Sequence, residues 1–141
     1  MFTAKVYRVM VGSLSGAMEE VFAAKEIISK WNQEKAESAG KLYMPVEWST
    51  KPEDMDKVDV VIGIVGNWIE NPAFIEECIQ SGKKVILFFQ SYHDPKVSIP
   101  YEVQEVGEFK SRMRSKCHCC DYVSYGDLNG ILSLRLSELG D

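Results

Sequence analysis

A chain of 141 residues with a formal charge of −5, 45% apolar and 26% charged, is long enough to bury a core without staples and has a globular composition. The acidic balance argues against nucleic acid, whose broad footprint needs a basic face, and no apolar run approaches the roughly 18 residues of a membrane span. Four cysteines beside this much core do not form a disulfide scaffold. With a Met1–Val6 segment that runs into a strand pattern rather than a signal peptide, they make the cytoplasm the expected compartment.

Lys5 to Ser13 alternates apolar residues and reads as a first strand. Ser13-Leu14-Ser15-Gly16 then opens a helix from about Ala17 to Glu37 whose buried face is Met18, Val21, Ala24, Ile28 and Trp31. Glu19 and Glu20 suit its positive amino end, and Gly40 stops it. Leu42 to Trp48 is a second strand, where Pro45 removes a ladder donor and so favours an edge. The polar stretch Ser49–Lys57 leaves room for only a short helical turn.

Val58-Asp59-Val60-Val61-Ile62-Gly63-Ile64-Val65-Gly66 is the pivot of the chain. Its β-branched run reads as a strand buried on both faces, and Gly63 and Gly66 allow close approach near its carboxyl end. Asn71-Pro72 starts a helix with Phe74, Ile75, Cys78 and Ile79 inward, ended by Gly82. Lys84–Gln90 is a further buried strand. Ser91–Ile99 is a loop with an Asp94-Pro95 turn, and Pro100 begins a helix facing inward through Val103, Val106, Phe109 and Met113. Cys120–Tyr125 is a short last strand. Asp127 is expected to cap a helix through Leu139, with Leu128, Ile131, Leu132, Leu136 and Leu139 inward.

Such alternation predicts a single α/β domain over 1–141. Its five-stranded parallel sheet has the flavodoxin-like order 2-1-3-4-5, with helices on both faces. Ligands of open α/β sheets bind beyond the strands' carboxyl ends at the switch point. That places Ser13, Leu14, Ser15, Gly16, Trp48, Gly66, Asn67, Trp68, Gln90 and Tyr92 at the candidate site. The hydroxyls and glycine at the helix start can hold a phosphate or merely cap the helix. Trp48, Trp68 and Tyr92 can stack on a base or cover the sheet edge. No Gly-x-Gly-x-x-Gly, P-loop or Gly-x-Ser-x-Gly elbow occurs. His93 and His118 lie in no nucleophile–base pattern. Cys117-His118-Cys119-Cys120 crowds four consecutive positions without a second ligand pair, so buried thiols are preferred to zinc, and no metal or cofactor is expected. Glu76 and Glu77 lie on the helix after the central strand, and Glu70 lies in the loop before it. Carboxylates there are either solvated or directed at a ribose, where they bind hydroxyls or stabilise an oxocarbenium-like centre.

Four segments together carry a family resemblance: Arg8–Ser13 with its acidic helix ending at Trp31-Asn32, Leu42–Trp48, Val58–Ile64 and Ser81–Phe89. In this order and spacing the chain resembles the TIR-like domains of bacterial and phage conflict proteins. Their superfamily also holds nucleoside 2-deoxyribosyltransferases. The resemblance covers about Val6 to Leu139 and implies a flavodoxin-like fold with a site for NAD-derived or nucleoside ligands, often cleaved at the N-glycosidic bond. Cleaving members place a glutamate on the helix before the Gly-Lys strand, at the position of Phe74 here. Glu77 follows a helical turn later and points nearly the same way, with Glu76 beside it. The first loop lacks the family's Asp and Arg, and the helix between strands two and three is cut short.

Phe74 in the glutamate's place favours binding over cleavage. The expectation is therefore a catalytically degenerate TIR-like domain that binds an NAD-derived nucleotide. A free-standing domain of this kind suits a phage anti-defence protein, acting in the host cytoplasm, that sequesters a cyclic ADP-ribose-type signal. In it Ser13, Ser15 and Gly16 would hold phosphate, Trp48 and Trp68 would stack, and Glu77 would bind ribose hydroxyls. The alternatives are an NAD or nucleoside N-glycosidase using Glu77 or Glu76, and a protein-interaction module that binds nothing small. A homodimer or higher homo-oligomer is expected, as in many relatives.

Overall fold

The computed structural model of the protein describes residues 1–15, 18–66, 68–90 and 101–139, with side chains in the last stretch described from residue 104. In chain order the elements are β1 (Lys5–Ser13), α1 (Met18–Ala39), β2 (Lys41–Val46), α2 (Pro52–Met55), β3 (Val60–Val65), α3 (Pro72–Gln80), β4 (Lys84–Gln90), α4 (Tyr101–Met113), β5 (His118–Tyr122) and α5 (Tyr125–Glu138). The strands form one sheet in the order β2-β1-β3-β4-β5. Every pairing is parallel, in register through Val9↔Val60, Val60↔Lys84 and Ile86↔His118. This is the order that the strand–helix alternation predicts, and Pro45 lies on an edge strand.

Strand side chains alternate between two cores because their period is two. Val9, Val11, Val60, Ile62, Ile64, Ile86 and Phe88 pack beneath α1 and α5. Met10, Leu14, Val61, Val65, Leu87 and Phe89 face Phe74, Ile75 and Cys78 of α3 and Phe109 and Met113 of α4. All six residues of β3 are buried. Asp59 joins the sheet just before it. Its carboxylate accepts from the Arg8 N–H at 2.9 Å, its own N–H donates to the Arg8 carbonyl, and its carbonyl accepts from Lys84.

Several boundaries move from their expected positions. The helix after β1 continues to Ala39, ended by Gly40 at φ 68°. Met18, expected on its inner face, is 53% exposed because it precedes the first turn that reaches the sheet. Strand two stops at Val46, and the central strand begins at Val60. The last strand is His118–Tyr122, not Cys120–Tyr125, and Asp127 is not the cap. Ser124 caps α5 by accepting from the Asp127 N–H, while the Asp127 carboxylate accepts from the N–H of Val123, the residue before the cap, and these two bonds turn the chain out of the strand early. Pro100 and the Ser91–Ile99 loop lie outside the described residues, as does the side chain of Val103.

β2 and the helix before it are tied to the end of α5. Lys41, almost fully buried, donates from Nζ to the carbonyls of Ser137 at 3.0 Å and Leu139 at 2.6 Å. Tyr43 Oη donates to the Leu136 carbonyl, and Trp31 Nε1 donates to Ser137 Oγ. A lysine at a helix carboxyl end also answers the negative end of the helix dipole. The α3–α4 side is less complete. With α2 a single turn, Val6 (48% exposed) on β1 and Met44 (41%) on the edge strand β2 remain uncovered. No helix among the described residues is long and apolar enough to cross a membrane.

Candidate functional site

Leaving β1, the chain is held to the loop after β3 by a short ladder. The Leu14 N–H donates to the Ile64 carbonyl at 2.9 Å, and the Leu14 carbonyl accepts from the Glu70 N–H at 2.7 Å. Ser15 Oγ, in a buried residue, accepts from the Gly66 N–H at 2.6 Å, and the Ser15 N–H donates to Ser13 Oγ at 3.0 Å. A Cβ at Gly66 would stand 3.1 Å from Ser15 Oγ and 3.8 Å from Gln90 Oε1, so Ser15, Gly66 and Gln90 meet at the carboxyl ends of neighbouring strands. Ser15 Oγ, expected to help hold a phosphate, braces the two loops against each other, and the Ser15 N–H is held within its own loop by Ser13 Oγ.

Gly12 is where the missing side chain matters most. A Cβ there would fall 2.2 Å from Trp48 Cε3, so the Trp48 indole lies directly on the β1 backbone. Its edge meets the Phe74 ring, with centroids 5.5 Å apart and planes at 66°. The indole thus forms a wall in contact with both sheet and α3. Beside it opens a cleft of about 280 Å³ lined by Ser13, Leu14, Trp48, Thr50, Glu70, Asn71 and Phe74. Asn71 adopts the left-handed conformation, φ 52° and ψ 57°, as the chain turns into α3.

The predicted residues are therefore only partly assembled. Ser13, Leu14 and Trp48 line the cleft, while Ser15, Gly66 and Gln90 lie at the adjoining strand ends. Trp68 is 42% exposed and does not line it. Glu76 is directed elsewhere, with Oε1 3.7 Å from Arg112 Nε and 3.6 Å from Lys116 Nζ. Glu77 is exposed and also absent from the lining. Gly16, Asn67 and Tyr92 lie outside the described residues. Thr50, Glu70 and Asn71 complete the cleft, and the Asn71-Pro72 helix start is the sequence signal nearest to them. Among the described lining residues Glu70 carries the only charge and no cation faces it. Hydroxyls, ring faces and one carboxylate suit a sugar and a base better than a phosphate.

The cysteine run divides between the two faces. Cys120 is buried in the α1–α5 core, and Cys117 and Cys119 pack half-buried against the other. Burial pushes the Cys117 thiol up to about 12, helped by its neighbour Cys119, and burial raises Cys78 to about 11. Such thiols stay protonated and make poor metal ligands or nucleophiles at neutral pH. Among the described residues no group of three or more His, Cys, Asp or Glu side chains could hold a metal ion.

No family model and no curated protein matches the chain. Among solved structures it is similar to a short-chain flavodoxin associated with a non-canonical PDU bacterial microcompartment, at 12% identity and a TM-score of 0.50, over 97% of this chain and 99% of that one. At this identity the likeness extends to the fold alone, and the fold of this protein is flavodoxin-like.

Proposed function

We propose that this protein is a catalytically degenerate TIR-like domain that binds the nucleoside portion of an NAD-derived ligand at the carboxyl ends of β1 and β3. One observation carries the reading: Ser13, Thr50, Glu70 and Asn71 converge with the Trp48 and Phe74 rings in one cleft at the switch point of the sheet. A carboxylate and hydroxyls suit ribose hydroxyls, and an aromatic wall suits a base. A volume of about 280 Å³ matches a nucleoside fragment better than a whole dinucleotide. Phe74, at the position where cleaving relatives carry their glutamate, lies in the lining and offers only a ring. Sequestration of a cyclic ADP-ribose-type signal by a phage protein is the biological role that fits a binder of this kind.

A second reading has its own support in Glu70, the carboxylate that does face the cleft. In an N-glycosidase it would stabilise the oxocarbenium-like centre in place of Glu76 or Glu77.

The test incubates purified protein with NAD and, separately, with cyclic ADP-ribose isomers. Products are followed chromatographically, and retained ligand is recovered by heat denaturation. Intact ligand released on denaturation, with no turnover and with retention lost in Glu70→Gln, is the expected result. Nicotinamide release abolished by Glu70→Gln or Glu77→Gln would make the protein an enzyme instead. Neither retention nor turnover would leave a protein-interaction module as the surviving reading.

A further inference from the structure

At the opposite end of the sheet, where β4 and β5 begin, lies a groove of about 560 Å³ whose lining includes Lys83, Lys84, Arg114, Ser115, Lys116 and His118. The chain as a whole is acidic, with 21 Asp and Glu against 16 Lys and Arg. Yet four of those cations line this groove, and no described carboxylate does. Grouped like charges repel, so an arrangement of this kind is stabilised by an anion.

The cations differ in how far they are neutralised. Lys116 is offset by Glu76 from the rim, 3.6 Å away, a carboxylate shared with Arg112. Lys83 donates from Nζ to the Val58 carbonyl at 2.9 Å, which fixes the ammonium without cancelling its charge. Neither Lys84 nor Arg114 forms an ion pair among the described residues. Three cationic residues without a carboxylate partner among the described residues, Lys83, Lys84 and Arg114, therefore line one concave surface together with Ser115 and His118.

The geometry points to this groove as a binding site for a compact polyphosphate, with Arg114 as the planar fork on one phosphate and Lys83 and Lys84 as point charges on the next. It shares no lining residue with the carboxyl-end cleft, so it stands whether or not a nucleoside binds there.

Inorganic triphosphate is titrated calorimetrically into the intact protein at low salt. The arms are wild type, a Lys84→Ala/Arg114→Ala double variant, and Lys25→Ala as a control cation on α1. Far-UV circular dichroism confirms that each is folded, and the His118 ring signals are followed by NMR. Saturable one-to-one binding is expected, with movement of the His118 signals in step. The double variant should weaken it about tenfold or more, and added salt should weaken it too, while Lys25→Ala leaves it unchanged. A nucleoside triphosphate binding as the inorganic ion does would show that the phosphates alone are read, and tighter binding would assign the source to a nucleotide. Absence of saturable heat, equal weakening by Lys25→Ala, or preference for an oligonucleotide of equal charge would overturn the proposal.

Discussion

At the scale of single residues, two small side chains decide how the carboxyl end of the sheet is built. Gly12 leaves the space that the Trp48 indole fills, a Cβ there being 2.2 Å from Cε3. Gly12→Ala must expel or tilt the indole and is expected to cost about 1–3 kcal/mol, the usual range for overpacking. Gly107→Ala is the contrast. Nothing lies within 4 Å of a Cβ at this helical position, so relief of glycine's helix penalty is expected to stabilise the protein by about 0.5–1 kcal/mol. Urea unfolding followed by tryptophan fluorescence reads both, and equal effects would contradict the packing described. Ser15→Ala removes the 2.6 Å acceptor of the Gly66 N–H and is expected to cost about 1–3 kcal/mol. Hydrogen exchange should localise the loss to the loops after β1 and β3, with Gly66 gaining exchange ahead of residues in β4.

Among the elements, the amino end of α5 offers the plainest test. Ser124 Oγ accepts from the Asp127 N–H, while the Asp127 carboxylate accepts from the Val123 N–H, so Ser124→Ala is expected to cost about 1 kcal/mol, and Ser124→Asp, which keeps an acceptor, much less. Thermal unfolding of the two variants side by side distinguishes capping from a general surface effect. The same helix shows where sequence reading stops. Its inward leucines at 128, 132 and 136 were visible as a periodic face, as were the β-branched runs of β3 and β4, because burial selects apolar residues at fixed periods. Whether Ser124 or Asp127 is the cap depends on one turn of backbone geometry, and both residue types are good caps. The strand order was legible for a like reason, since alternating strands and helices leave few right-handed topologies. The cleft is legible only in part. Ser13, Leu14, Trp48 and Glu70 can be picked from the strand ends and from the carboxylates near α3, but Thr50 and Asn71 come from loops with no period, and Glu76 turns away because Arg112 and Lys116 draw it toward α4. Trp48 is legible as a site aromatic, but the need for a glycine at its neighbour across the sheet is not.

For the molecule as a whole, three groups partly or wholly withdrawn from water link stability to alkaline pH. Folding raises the Cys78 thiol from 9.0 to about 11, the Cys117 thiol from 9.0 to about 12 and the Tyr122 phenol from 10.0 to about 12, in each case chiefly by desolvation. Above the unfolded values the unfolded chain binds fewer protons than the folded one, so stability must fall as pH rises. The contribution is complete below about pH 9 and is lost as pH climbs through the folded values near 11 and 12. The urea midpoint is expected to drop steeply over this alkaline window, and Cys78→Ala should flatten the fall while lowering the midpoint at neutral pH through the cavity it leaves. A midpoint indifferent to pH there would contradict the burial of these groups. The clasp between Lys41 and the end of α5 acts on another timescale, that of folding. The ammonium and its acceptors at Ser137 and Leu139 are separated by 96 and 98 residues, so this contact carries a large loop-closure cost. Contacts nearer in sequence can pair β1 with β2 and β3 first, but the edge strand keeps a lysine without these two carbonyls until α5 has docked. Opening of α5 alone would unclasp the strand edge at one side of an otherwise formed sheet, a mark by which proteases could sort partly folded copies from finished ones.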